Sequence, residues 1–214
     1  MHTHKLSYKK IYELYRDLLK KYGPQGWWPI NNKYHPKDYS YPKTEKQRFE
    51  ICIGAILTQN TSWMNVEKAL LNLIKLRLID PVKIRGIDDD TTDNILKDAI
   101  KSAGYFNQKA KKIKIFSEFY IRLKGRIPTR DELLDVWGIG PETADSILLY
   151  AYNRPEFVID AYTKKLLLKM KIINKEAGYD EIKCLFEKNL PKKYTIYQEF
   201  HALIVENGKH RSTS

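Results

Sequence analysis

Apolar residues recur at helical spacing along most of the chain. In "YKKIYELYRDLLKKYG", Ile11, Leu14, Tyr15, Leu18 and Leu19 fall on one face, and the pattern stops at Gly23-Pro24. Segment 27–43 is rich in proline, tyrosine and asparagine and reads as an ordered loop or an arm over the surface. The periodicity then predicts helices over 47–57, 63–76, 92–103, 109–124, 130–136, 142–152, 162–170, 180–189 and 196–206. Strand-like runs such as "EFVI" are isolated and no repeat or low-complexity tract occurs, so the expected fold class is all-α.

Composition narrows the partners. The 214 residues hold 38 Lys+Arg against 26 Asp+Glu, a formal charge of +12, which favours nucleic acid first and a membrane surface second. No apolar run approaches about eighteen residues and no charged-then-apolar leader opens the chain, so neither a membrane span nor a secretory signal is expected; the reading is cytoplasmic. Cys52 and Cys184, the two cysteines, lie far apart in apolar helical patterns and read as buried thiols; they cannot supply a four-cysteine metal or iron-sulfur site.

One stretch carries candidate chemistry. In "LLDVWGIGPETADSILLYAY", Gly138 and Gly140 allow a short hairpin between antiparallel helices, and Pro141 suits the first position of the second helix. Such a turn is either an ordinary helix corner or a place where unpaired N–H groups converge to hold a phosphate. "VIDAY" follows, with its Asp160 eight residues beyond Tyr152. Asp160 in it reads first as an N-cap of "AYTKKLLLKM", a reading compatible with a carboxylate that stabilises positive charge on a substrate, since capping would keep it ionised and oriented.

The hairpin with "FVIDAYTKKLL" resembles the helix-hairpin-helix, Gly/Pro-rich loop and aspartate signature of the endonuclease III superfamily of DNA glycosylases. "GAILTQNTSWMNVEKAL", "GYFNQKAKKI" and the C-terminal "FHALIVENGKH" agree with that family in order and spacing. The likeness runs from about 49 to 170 and resumes at the closing helix. It implies a six-helix barrel over 46–152 and a second helical lobe from 1–45 with 153–214, with DNA in the cleft between them. It also implies a target nucleotide flipped out of the duplex, because its glycosidic carbon is unreachable inside the stack. By position Asp160 is the catalytic aspartate and Gln59 fills the gap left by the flipped base, although Gln59 equally suits a helix-end cap. Gly138, Gly140 and Thr143 are then DNA-binding residues of the hairpin.

Departures from the family pattern are informative. Strand-nicking members carry a lysine two residues after the second hairpin glycine, where this chain has Glu142, and a carboxylate cannot form a Schiff base. A monofunctional glycosylase is therefore expected. Most relatives follow the closing helix with four cluster cysteines; here that place reads "KHRSTS", so no iron-sulfur cluster and no metal or organic cofactor is expected. "PQGWWPI" and "TQNTSW" resemble a compact, cluster-less bacterial type of 3-methyladenine DNA glycosylase in the superfamily. The resemblance places Trp27 and Trp63 on either side of the flipped base, with Trp28 and Pro29 beside them, and puts Leu203 where relatives carry a pocket lysine. From the residues alone, these tryptophans read first as loop and core packing.

A 3-methylated adenine is cationic, stacks well on indole and already has a weakened glycosidic bond. The expected partner is accordingly double-stranded DNA with an alkylated base, bound by a monomer. A neutral mismatched or oxidised base, or DNA binding without catalysis, remain alternatives. Lys109, Lys111, Lys112 and Arg130 are candidate phosphate contacts, as are Lys164 and Lys165, and His201 reads as a core histidine.

Overall fold

The computed structural model describes residues 2–87 and 93–210, with side chains for 10–87 and 95–209. The helices are α1 (His2–Tyr22), α2 (Glu45–Leu57), α3 (Trp63–Lys75), α4 (Pro81–Arg85), α5 (Asp93–Ile100), α6 (Phe106–Leu123), α7 (Arg130–Leu134), α8 (Pro141–Ser146), α9 (Ala161–Lys169), α10 (Tyr179–Asn189) and α11 (Tyr194–His210). A 3-10 turn, Lys101–Ala103, extends α5, and a π turn, Ile147–Ala151, extends α8. Among the described residues an isolated bridge between Ile30 and Lys33 is the only β pairing, and the mostly helical fold is as expected. No helix among them is long and apolar enough to cross a membrane. The expected helix 92–103 begins at Thr92, which lies outside the described residues, as do 211–214 of "KHRSTS".

The chain divides into two compact units, one of residues 29–33 and 40–152, the other of 1–28, 34–39 and 153–214. In the first, α2 opens on polar Glu45 to Arg48 and then buries every residue from Phe49 to Leu57, Glu50 included, as befits a central helix. Thr44 caps it by accepting from Gln47 N–H. Around it α3 buries Val66, Ala69, Leu70 and Leu73, and α6 buries Ile113, Phe116 and Tyr120. Phe49 meets Tyr120 edge-on at 5.0 Å, and the Tyr120 hydroxyl donates to Glu45 at 2.7 Å. Fully burying one such side chain contributes roughly 1.5–3 kcal/mol.

Helix α4 escapes the periodicity because five residues are too few to show it. Its signal is local: Asp80 accepts from the N–H groups of Val82 and Lys83, and Pro81 occupies the first turn. The apolar run 142–152 reads as one α-helix, yet its last turn widens to π geometry, leaving Ile147 to Ala151 all buried.

In the second unit Phe157 stacks on Phe186 at 4.0 Å, with Phe200 and Tyr197 of α11 edge-on to Phe157. Helix α1 buries Ile11 and Leu18 and half-buries Leu14, Tyr15 and Leu19. The arm after α1 is held by buried Glu199, which accepts from Gln25 N–H at 2.7 Å and from the Tyr39 hydroxyl at 2.6 Å. Cys52 is sealed inside α2, as expected, whereas Cys184 is only half-buried.

Lys109 corrects an expectation. It is 2 % exposed and donates to the carbonyls of Leu57 at 2.8 Å and Ala103 at 2.7 Å, so it closes two helix ends instead of meeting phosphate. Burial, and then the Lys112 charge, push its ammonium down to about 8 from an ordinary 10.5. Replacing Lys109 with Met strands both carbonyls and is expected to cost about 2–3 kcal/mol, a fall of roughly 5–10 °C in Tm by calorimetry. Between the folded and ordinary values the unfolded chain holds this proton more tightly, so stability gained from Lys109 rises with pH. The Tm gap between wild type and variant is expected to widen from pH 8 toward 10.

Candidate functional site

The hairpin is built by local chemistry. Thr129 and Glu132 form a capping box at the start of α7, and Arg126 grips the Glu132 carboxylate through both terminal nitrogens at 2.8 and 2.7 Å. Arg130 joins α7 to α8, its Nε 2.9 Å from Oδ1 of fully buried Asp145. It is thus committed to a structural pair, against the expectation of a phosphate contact. Between the helices Gly138 takes φ +85°, and a Cβ there would lie 2.6 Å from Lys112 Cγ. Glycine is required for both reasons. Gly140 N-caps α8, and Gly140, Pro141 and Glu142 are exposed.

Gln59, in the turn after α2, is tied to this hairpin. Its Nε2 donates to the Gly138 carbonyl and to the Thr143 hydroxyl, each at 3.0 Å, and its Oε1 accepts from Lys112 Nζ at 2.5 Å. Thr143 is buried, so its hydroxyl serves Gln59 beneath the hairpin instead of pointing outward. Lys111 remains exposed, with Nζ 4.8 Å from the ring centre of Trp137. Trp137 is 50 % exposed at the hairpin tip, a surface aromatic that helical periodicity could not single out.

Trp63 opens α3 and donates its indole N–H to Glu67 at 2.7 Å. The two residues line a small pocket with Pro29, Asn32, Leu70 and Ile74. Pro29 and Trp63 therefore share a lining within one unit.

The second unit holds Asp160. It N-caps α9: Oδ1 accepts from both the N–H and the hydroxyl of Thr163, each at 2.7 Å. Oδ2 lies 3.7 Å from His201 Nε2, beyond hydrogen-bond reach. Burial pushes this carboxyl upward, but the His201 ring and the Thr163 donors outweigh it and hold the group below its ordinary value. His201 was expected to be a core histidine; it is indeed buried, but faces the carboxylate, a proximity 41 residues of sequence concealed. A Cβ on Gly208 would lie 2.2 Å from Tyr162, so α11 approaches the turn after Asp160 only as glycine.

Trp27 packs edge-on to buried Trp28 at 5.7 Å and lies 5.7 Å from Tyr34. Leu203 is fully buried in the core, and the lysine of α11 that faces the tryptophan is Lys209, with Nζ 5.6 Å from the Trp27 ring centre. Lys164 turns inward to the Ala177 carbonyl at 3.2 Å, whereas Lys165 is exposed. Among the described residues no group of three or more His, Cys, Asp or Glu could hold a metal ion. Two cysteines do not fit a four-thiolate cluster, and burial raises the Cys52 thiol well above its ordinary range.

Residues 53–192 match the HhH-GPD superfamily of base excision DNA repair proteins. A protein of Methanocaldococcus jannaschii provisionally described as a DNA repair glycosylase is 45% identical, over 95% of this chain and 89% of its own length. The crystal structure of an H. pylori 3-methyladenine DNA glycosylase bound to 1,N6-ethenoadenine superposes with a TM-score of 0.74 at 31% identity, covering 96% of this chain and 98% of that one. A trapped endonuclease III–DNA covalent intermediate shares the fold, with a TM-score of 0.74 at 18% identity over 95% of this chain and 86% of that one. The chain therefore belongs to the HhH-GPD superfamily of base excision DNA repair proteins.

A methyl group at Gly138 would meet both a positive φ and the Lys112 stem. Gly138→Ala is expected to weaken binding to duplex DNA by about tenfold or more through a displaced hairpin. Fluorescence anisotropy at fixed salt checks this, with circular dichroism confirming that the helices remain.

Proposed function

We propose that the protein is a monofunctional DNA glycosylase that hydrolyses the N-glycosidic bond of alkylated purines, chiefly 3-methyladenine, and leaves an abasic site. The observation that carries this reading is the Asp160 carboxylate: one oxygen is clamped by Thr163, the other lies 3.7 Å from His201 Nε2, and the group is held below its ordinary pKa despite burial. As the bond from C1′ to the base nitrogen breaks, positive charge grows on the sugar. An ionised carboxylate stabilises that charge or orients the water that adds to C1′, while the base leaves with the bonding electrons.

Charge also favours a methylated base. A 3-methyladenine cation departs as a neutral molecule and needs no strong acid from the protein. In this reading Trp27, Trp28, Pro29 and Trp63 are the base-pocket residues, and Glu67 at the Trp63 N–H adds negative charge beside one of the indoles. The 31% identity to the H. pylori enzyme over nearly the whole chain supports the same substrate class. Glu142 supports hydrolysis without strand nicking, since no amine stands at the Schiff-base position. In this reading Gly138 and Gly140 bring the hairpin backbone to the phosphates and Gln59 enters the space left by the extruded base. The protein acts on duplex DNA as a monomer without a cofactor.

Wild type is expected to release 3-methyladenine from methylated duplex DNA, with strand breaks appearing only after alkali. Asp160→Asn is expected to bind the duplex with wild-type affinity while losing release by at least about a hundredfold. Chromatography of freed bases, with gel analysis before and after alkali, checks both. Binding without release of any methylated base by wild type would end the alkylation reading and turn attention to mismatched or oxidised bases.

A further inference from the structure

A glutamine side chain on a protein surface normally samples several rotamers, and ordering it costs entropy. Gln59 departs from that rule. Both its amide protons are donated within the hairpin, to Gly138 O and Thr143 Oγ1 at 3.0 Å each, and its carbonyl oxygen accepts from Lys112 Nζ at 2.5 Å. The lysine does two things at once. Its ammonium holds the Gln59 oxygen, and its methylenes lie so close to Gly138 that a single added carbon there would clash with Cγ, Cδ and Cε. A residue of α6 thus ties the turn after α2 to the hairpin between α7 and α8, all within one unit.

We infer that Lys112 is a positioning residue for Gln59, locking its amide to the hairpin so that the side chain meets the duplex already ordered. The inference rests on the proposed role of Gln59 in filling the space of the extruded base. A rigid amide opposes return of the base to the stack without spending binding energy on ordering itself, and its anchor on Gly138 sets its depth relative to the phosphates the hairpin grips. The charge of Lys112 is thereby directed at a side chain, which distinguishes it from a lysine that serves the phosphate backbone by attraction alone.

The test uses single-turnover base release from a duplex methylated at one adenine, either paired with thymine or mispaired with cytosine. Lys112→Met keeps the stem against Gly138 and removes the ammonium. It is expected to slow release from the paired site by about tenfold and from the mispaired site, where extrusion is easier, by about threefold or less. Lys112→Arg is expected to restore most of the rate, and the Lys112→Met, Gln59→Ala double variant to be no slower than Gln59→Ala alone. Equal slowing on both duplexes would assign Lys112 to phosphate binding or to chemistry and overturn the inference. So would a slow Gln59→Ala beside a wild-type Lys112→Met. If Gln59→Ala itself releases base at the wild-type rate on the paired duplex, the role of Gln59 falls, and the inference with it.

Discussion

Keeping a carboxylate ionised while hiding it from water is the constraint around which one unit is organised. Desolvation alone would raise the Asp160 pKa and disfavour its charged form. The opposing contributions are the two Thr163 donors on Oδ1 and the His201 ring near Oδ2. They require α9 to begin at residue 161, α11 to run close beside it, and Gly208 to admit Tyr162. In the proposed function the N-cap that starts α9 and the carboxylate that faces a sugar cation are one arrangement, so stability and chemistry pull in the same direction.

The other unit handles charge differently. Its buried and half-buried cations are spent on architecture: Lys109 on two carbonyls, Arg130 on Asp145, Lys112 on Gln59. Each joins segments distant in sequence, and together they surround the hairpin and the turn after α2. A net charge of +12 therefore overstates what is available to a polyanion, since some of the most suggestive lysines and arginines near the motif face inward. Lys111, exposed against Trp137, and exposed Lys165 keep their charge at the surface.

Local chemistry was legible in the sequence and long-range pairing was not. The glycine turn, Pro141 and the Asp160 cap are written within a few residues of one another, and family resemblance could attach roles to them. Helical spacing located the long helices but passed over α4, which depends on Asp80 and Pro81, and gave no sign that the run after α8 would widen to a π turn. The buried contacts of Lys109 and Arg130 do not show in the sequence, which gives charge without burial and so offers both as phosphate contacts. Pairings of Gln59 with Lys112 and of Asp160 with His201 span loops and whole helices, and no local pattern encodes them. The position of Leu203 drew attention as the closing-helix pocket site, whereas the lysine beside Trp27 comes six residues later, at Lys209.

The central claim is that Asp160 acts as a negative charge toward a sugar cation. It is tested most directly by comparing binding to two duplexes that differ at one abasic position, a cationic pyrrolidine analogue and a neutral tetrahydrofuran. Wild type is expected to prefer the cationic site by about a hundredfold or more, and Asp160→Asn to lose most of that preference. Equal affinity of wild type for the two duplexes would contradict the account.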